Sequence, residues 1–178
     1  MNSLIIREIK PGELAFVRKQ RLENYKEYKT LLSREHWEGL KGTLSSDNDL
    51  KEGVKIFVAE LDGKIIGSVV FFPPFLEAYE WEVEEQGYPE IRMLAVDQSV
   101  RGRGVGKKLV HHCIEAGKKS GYETIGLHTA EFMKHAFSLY INLGFIRVPE
   151  ADFEPANDGI IVKGFKLDLK GKIRNVKK

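Results

Sequence analysis

Six consecutive residues near the middle of the chain, Arg101-Gly102-Arg103-Gly104-Val105-Gly106, have the types and spacing to hold an anion. Glycines let the backbone come close to a ligand and turn several N–H groups toward it. Arg101 and Arg103 add full charges suited to phosphate oxygens. The run follows the apolar stretch Leu94-Ala95-Val96 and opens a segment of helical periodicity. Its N–H groups therefore sit at a helix N-terminus, the positive end of the dipole. Lys107 and Lys108 fall in the first turn of that helix, where a cation opposes the dipole unless an anion lies nearby. The pattern predicts a ligand carrying a pyrophosphate. Two rival templates fail. A Walker-type loop needs glycine at position 101 and Ser or Thr after Lys107, and Arg101 and Lys108 stand there. A dinucleotide fingerprint begun at Gly102 needs glycine where Lys107 stands. A solvated surface turn could share this composition, but the strand before it and the helix after it favour a binding loop.

The elements that position the loop follow from periodicity. Leu4–Glu8 reads as a strand, broken by Pro11-Gly12. Leu14, Val17, Arg21 and Leu22 recur at helical spacing. Ser33 caps a second helix with Trp37, Leu40 and Leu44 on its apolar side, and residues 45–49 read as a polar loop. Lys55–Leu61 and Lys64–Phe72 form a hairpin about Asp62-Gly63, ended by Pro73-Pro74. An irregular acidic stretch runs to Pro89. Glu90–Val96 reads as a buried strand, with Glu90, Arg92, Leu94 and Val96 expected on one face. Val105, Leu109, Val110, Cys113, Ile114 and Gly117 share one side of a helix closed by Gly121. Residues 122–129 give a strand, 133–143 a helix closed by Gly144, and 145–148 and 160–169 the last strands. The order predicts a mixed α/β domain around a central sheet.

The loop resembles the Arg/Gln-x-x-Gly-x-Gly/Ala signature of the GNAT superfamily of N-acetyltransferases, and Leu94-Ala95-Val96 is similar to that family's cofactor-flanking strand. Downstream, Ala136-Phe137-Ser138-Leu139-Tyr140-Ile141-Asn142-Leu143-Gly144-Phe145 is similar to its second motif, Ala-x-x-x-Tyr-x-x-x-Gly-Phe. The element order fits from about Leu4 to Leu169. The resemblance implies a single-domain α/β (α+β) fold over residues 1–169, with residues 170–178 as a basic tail. Its sheet would be mixed, mostly antiparallel, with about six to seven strands and about four flanking helices. It implies acetyl-CoA as donor, held along Leu94, Ala95 and Val96 through backbone groups and at the pyrophosphate by Arg101, Gly102, Arg103, Gly104, Val105 and Gly106. A bulge near Leu94 would splay two parallel strands and leave a backbone N–H there for the acetyl oxygen. Met133 departs from the pattern, standing where many members carry an asparagine that contacts the cofactor.

Acetylating an amine poses two proton problems. The ammonium, with a pKa of about 10.4 for a lysine-type amine, must lose a proton, and the leaving thiolate must gain one or be stabilised. By resemblance Tyr140 is the acid and Glu90 the base, directly or through a water. His128, at the end of a neighbouring strand, is a rival base or a packed sheet-end residue. Cys113 falls on a helix face and reads as a small buried hydrophobe rather than an acyl carrier. The stretch from Glu77 to Glu85 holds five glutamates and two aromatics, which suits a small cationic or polyamine-like acceptor. Tyr25 and Tyr28 are further candidates for the cleft. Two alternatives share these residues in part: a non-catalytic acyl-CoA-binding or sensor domain, and a protein or peptide N-acetyltransferase.

Composition sets the remaining bounds. A chain of 178 residues with 42% hydrophobic and 30% charged residues fits one soluble domain with a core of its own. A lone cysteine forms no internal disulfide, so a cytoplasmic setting is expected. The five histidines fall in no zinc pattern, so no metal is expected. There is no leader pattern and no apolar run of roughly 18 residues, so no membrane span is expected. Net charge is +2, and the basic tail (Lys170, Lys172, Arg174, Lys177, Lys178) reads as a solvated end rather than a nucleic-acid site. The family resemblance also raises a homodimer.

Overall fold

Strands β2 (Lys55–Leu61) and β3 (Lys64–Phe72) are apolar at most positions because both of their faces are covered. Ile56, Val58, Val70 and Phe72 pack with Val17 of helix α1 (Leu14–Tyr25). Their neighbours Phe57, Ala59, Val69 and Phe71 pack with Leu109, Cys113 and Ile114 of helix α3 (Val105–Lys119). Alternation along each strand thus builds two cores, one on each face. The computed structural model describes residues 3–75 and 87–170. Among the described residues the seven strands also include β1 (Leu4–Glu8), β4 (Glu90–Val96), β5 (Thr124–Ala130), β6 (Ile146–Arg147) and β7 (Val162–Asp168). They form one sheet in the order β1-β2-β3-β4-β5-β7-β6. Among the described residues β4 and β5 run parallel, and the other neighbouring pairs are antiparallel. Helix α2 (Arg34–Ser45) joins α1 on one face, and α4 (Lys134–Asn142) joins α3 on the other. This is the mixed, mostly antiparallel single-domain architecture the sequence implied.

Local chemistry accounts for the joints. Asp62 (φ 51°) and Gly63 (φ 79°) both take the left-handed conformation, as a two-residue hairpin turn demands. The Ser33 hydroxyl accepts from the His36 N–H and caps α2. The expected polar loop at 45–49 is more ordered than its composition suggests. Helix α2 includes Ser45, and Asp47–Leu50 forms a 3-10 turn that buries Asp49. The cause is Arg21 on α1, which is fully buried and donates to Asp49 Oδ2 (3.2 Å) and to the Leu44 carbonyl (3.0 Å). Arg18 also donates to Asp49. A cation taken out of water needs a partner taken out with it. A 3-10 stretch, Lys26–Leu31, follows α1 directly.

Candidate active site

The site begins with one extra residue in β4. Val70 pairs with Arg92 and Ser68 with Ala95, so Met93 and Leu94 together stand opposite Val69. Met93 has φ 54°, the strained conformation that such a bulge stores. The inserted residue resets the alternation. Ile91, Leu94 and Val96 pack toward α3 and α4, whereas Met93 and Ala95 pack toward α1 and α2. The Arg92 guanidinium lies 5.1 Å over the Phe72 ring, on the α1 face. Leu94 and Val96 therefore do not share the face of Arg92, contrary to the period-2 expectation. The bulge also ends the parallel pairing. β4 and β5 meet only at Glu90–Gly126 and Ile91–Leu127 and then part. Tyr88 closes the paired end, where its ring comes so near Gly126 that an added Cβ there would lie 2.3 Å from it.

Two cavities meet in this gap, sharing Tyr25, Leu94, Met133 and Ala136. The larger, of about 510 Å³, is lined by Leu94, Ala95, Val96, Arg101, Gly102, Gly104, Val105 and Gly106. Every loop and strand position singled out from sequence is in that lining except Arg103. Gly104, at φ 79°, is the N-cap of α3, and the first helical bond there runs from the Lys108 N–H to the Gly104 carbonyl. The N–H groups of the helix's first turn are thus left for a ligand. The Arg101 side chain is committed elsewhere. Its Nη1 donates to both Glu27 oxygens at 2.9 Å and its Nε to the Val96 carbonyl at 3.1 Å, while Gln98 also donates to Glu27. Burial raises the Glu27 carboxyl, but its contacts with Arg101, Tyr28 and Gln98 together hold it below its usual value. Arg101 therefore fastens the loop to the 3-10 stretch that carries Tyr28. Tyr28 lines the larger cavity and packs edge-on against Tyr25 (6.0 Å) and at a tilt against Phe132 (5.2 Å).

The smaller cavity, of about 100 Å³, holds Tyr140 in its wall beside Met133 and His128. Tyr140 is 5% exposed and packs edge-on against Phe145 at 5.8 Å. Glu90 is also buried, at 3% exposed, and sits behind the chamber wall. Its carboxylate is bonded to Arg92 and lies 3.4 Å from His128 Nδ1. Both of those residues do line the chamber. Burial pushes the Glu90 carboxyl up, but the His128 and Arg92 contacts outweigh it and hold the group below its ordinary value. His128 Nε2 meets the Ala151 carbonyl at 3.0 Å. A carbonyl only accepts, so Nε2 carries a proton and Nδ1 is the ring position facing Glu90.

Sequence reasoning missed the far wall. Leu40, Thr43 and Leu44 of α2 line the chamber with Phe132, Phe153 and Val162. The helical spacing of the α2 residues was visible, but not what they face. His36 Nδ1 lies 2.8 Å from Asp158 Oδ2, and the Ser33 N–H donates to the same oxygen at 3.2 Å. Burial raises the Asp158 carboxyl, and the His36 contact and the Ser33 and Ile160 N–H groups together hold it below its ordinary value. The His36–Asp158 pair docks the long connection before β7 on the start of α2. Cys113 is fully buried, and burial pushes its thiol well up, which suits packing and not nucleophilic work. The Glu77 to Glu85 run and the basic tail beyond Lys170 lie outside the described residues. Among the described residues no helix is long and apolar enough to cross a membrane, and no group of three or more His, Cys, Asp or Glu is placed to hold a metal ion.

Comparison with known proteins gives one consistent likeness. A family model described as the acetyltransferase (GNAT) family matches residues 16–145. An uncharacterised N-acetyltransferase of Methanocaldococcus jannaschii is 34% identical over 89 residues, covering 50% of this chain and 38% of the relative. An N-alpha-acetyltransferase of Arabidopsis thaliana is 36% identical over 91 residues, covering 51% of this chain and 44% of the relative. The chain thus spans less than half the length of these relatives. Among solved structures, a GNAT-family acetyltransferase of Staphylococcus aureus superposes with a TM-score of 0.70 at 19% identity, covering 94% of this chain and 100% of the other. The PaiA N-acetyltransferase of Thermoplasma acidophilum, solved in complex with coenzyme A, superposes at 0.65 and 17% identity, covering 93% and 99%. At these identities the structural likeness speaks for the fold.

Proposed function

The chain belongs to the GNAT acetyltransferase family, and from that membership we propose that it moves an acetyl group from acetyl-CoA to the primary amine of a small cationic acceptor, by direct transfer in a ternary complex. The observation that carries the reading is the gap between parallel β4 and β5, which joins the cavity at the α3 N-terminus to the chamber holding Tyr140. The solved neighbour with coenzyme A bound supports the choice of donor.

Acetyl-CoA brings the acyl carbon already activated as a thioester. The chain's own groups divide the remaining work. The first-turn N–H groups of α3 and the backbone at Gly102 and Gly104 receive the pyrophosphate. The strand edge freed at Leu94 offers a backbone N–H to the acetyl oxygen, where negative charge develops. The Tyr140 hydroxyl protonates the departing thiolate and is restored by the second proton that the attacking nitrogen gives up as the neutral amide forms. Glu90 takes the proton of the acceptor ammonium through a water, since Arg92 and His128 stand between its carboxylate and the chamber.

The test is thiol release from acetyl-CoA over a panel of amines and short peptides, with calorimetric binding of CoA alongside. Turnover is expected, and Tyr140→Phe is expected to lower kcat about a hundredfold or more with CoA affinity unchanged. Firm CoA binding with no turnover on any acceptor would replace this reading with an acyl-CoA-binding or sensor domain. Turnover confined to peptides would assign a protein-modifying enzyme.

A further inference from the structure

We propose that the acceptor is a primary monoamine whose reactive nitrogen sits on an unbranched apolar stem, an alkylammonium rather than a polyamine or an amino sugar. The proposal rests on the transferase reading and concerns the part of the chamber beyond the residues shared with the larger cavity. That wall is built from Leu40 and Leu44 of α2, Met93 of the bulge, and Phe132, Phe153 and Val162. All six side chains are apolar.

Apart from Tyr140, whose hydroxyl is assigned to the thiolate, the polar side chains in this part of the lining are engaged within the protein, Thr129 through its bond to the Met133 sulfur. His36 is held by Asp158, Thr43 donates its hydroxyl to the Gly39 carbonyl, and Arg92 is bonded to Glu90. His128 is placed between the Ala151 carbonyl and Glu90. A second ammonium or a hydroxyl drawn into this space would leave water and find most of its possible partners engaged, a penalty that methylenes do not meet. Size points the same way. At about 100 Å³ the chamber is smaller than the roughly 150 Å³ of a cavity that takes up benzene, so a chain fits where a ring does not. The glutamate-rich run that suggested a polyamine lies outside the described residues, whereas the described wall favours carbon.

The experiment compares kcat/KM for ethylamine, propylamine and butylamine with that for 1,4-diaminobutane, spermidine and an aminoglycoside. The n-alkylamines share nearly one basicity, so the series reads the stem. Each added methylene is expected to raise kcat/KM about fourfold. 1,4-Diaminobutane is expected to fall at least about tenfold below butylamine, because it buries a second charge. Leu40→Asn, at a half-buried position, is expected to flatten the chain-length dependence without altering CoA affinity. A flat series in the native protein, or a diamine that equals butylamine, overturns the proposal and leaves the transferase reading intact. Thermal shift of the CoA-loaded protein with each amine separates the other failure. Stabilisation by butylamine but not by 1,4-diaminobutane, without turnover, sinks the transferase reading and keeps the alkylamine site. Neither turnover nor stabilisation by butylamine sinks both.

Discussion

Replacing Glu90 by glutamine keeps the shape of the side chain and removes one charge from a site where it is 4% exposed. Two consequences follow, and they separate by assay. The first is stability. Arg92, 10% exposed at its side chain, loses this counter-charge, and breaking one side of a buried pair costs about 3–5 kcal/mol. Arg92 keeps its place over the Phe72 ring, which puts the loss near the lower end, at about 3 kcal/mol. The folded Glu90 carboxyl is held below its unfolded value of 4.5, so its pairing stabilises the fold fully above that value. That contribution is lost as pH falls through the lower folded pKa. Denaturation curves should therefore show a gap between native protein and Glu90→Gln at pH 7 that narrows below about pH 4.5. The second consequence is catalysis. Loss of a general base lowers kcat about 10²–10⁴-fold, or about 2.7–5.5 kcal/mol. Because Glu90 is ionised throughout the neutral range, the variant should lower the plateau of the pH–rate profile and leave its acid limb in place. Thiol release should be followed at a temperature where circular dichroism shows both proteins folded. A folded variant with kcat within about threefold of native would refute the base assignment, since such a loss is far below the range for that role. A stability gap that stays constant from pH 7 to pH 3 would refute the argument from the buried pair.

Three further outcomes test other parts of the site. Gly104→Ala should weaken CoA binding by calorimetry about tenfold, because φ 79° costs a residue with Cβ roughly 1–2 kcal/mol although no atom lies within 4 Å of the added carbon. Gly12→Ala carries the same backbone strain at φ 89° away from the loop, and should leave CoA binding alone. Asp158→Asn should lower acceptor kcat/KM by about 1–2 kcal/mol with CoA affinity unchanged, since the pair with His36 docks the connection that brings Phe153 to the chamber. Asp49→Ala strips the counter-charge from fully buried Arg21, and calorimetry should find Tm lower by about 6–20 °C.

Local signals in the chain singled out the loop that we propose faces the pyrophosphate, and the structure places it on the larger cavity. The glycines of residues 102–106 and the helix they open are features of neighbouring residues, so their spacing carried the information. The apolar runs of β2 and β3, the Asp62-Gly63 turn and the Ser33 cap were legible for the same reason. Periodicity failed where one residue was inserted. The bulge at Met93 moved Leu94 and Val96 off the face of Arg92; composition at that point does not announce it, and only the family resemblance implied a bulge near Leu94.

The sequence by itself determined the family, the order of elements and the positions of the two motifs, because each is written in residues close together along the chain. The tertiary structure decided what those residues meet. It set Glu90 behind His128 and Arg92 instead of leaving it an exposed strand end, and tied Arg101 to Glu27, 74 positions away. It also closed an apolar wall from α2, the bulge and the last connection. Such contacts are set by how helices and strands pack across the sheet, and packing unites residues whose separation along the chain carries no periodic mark.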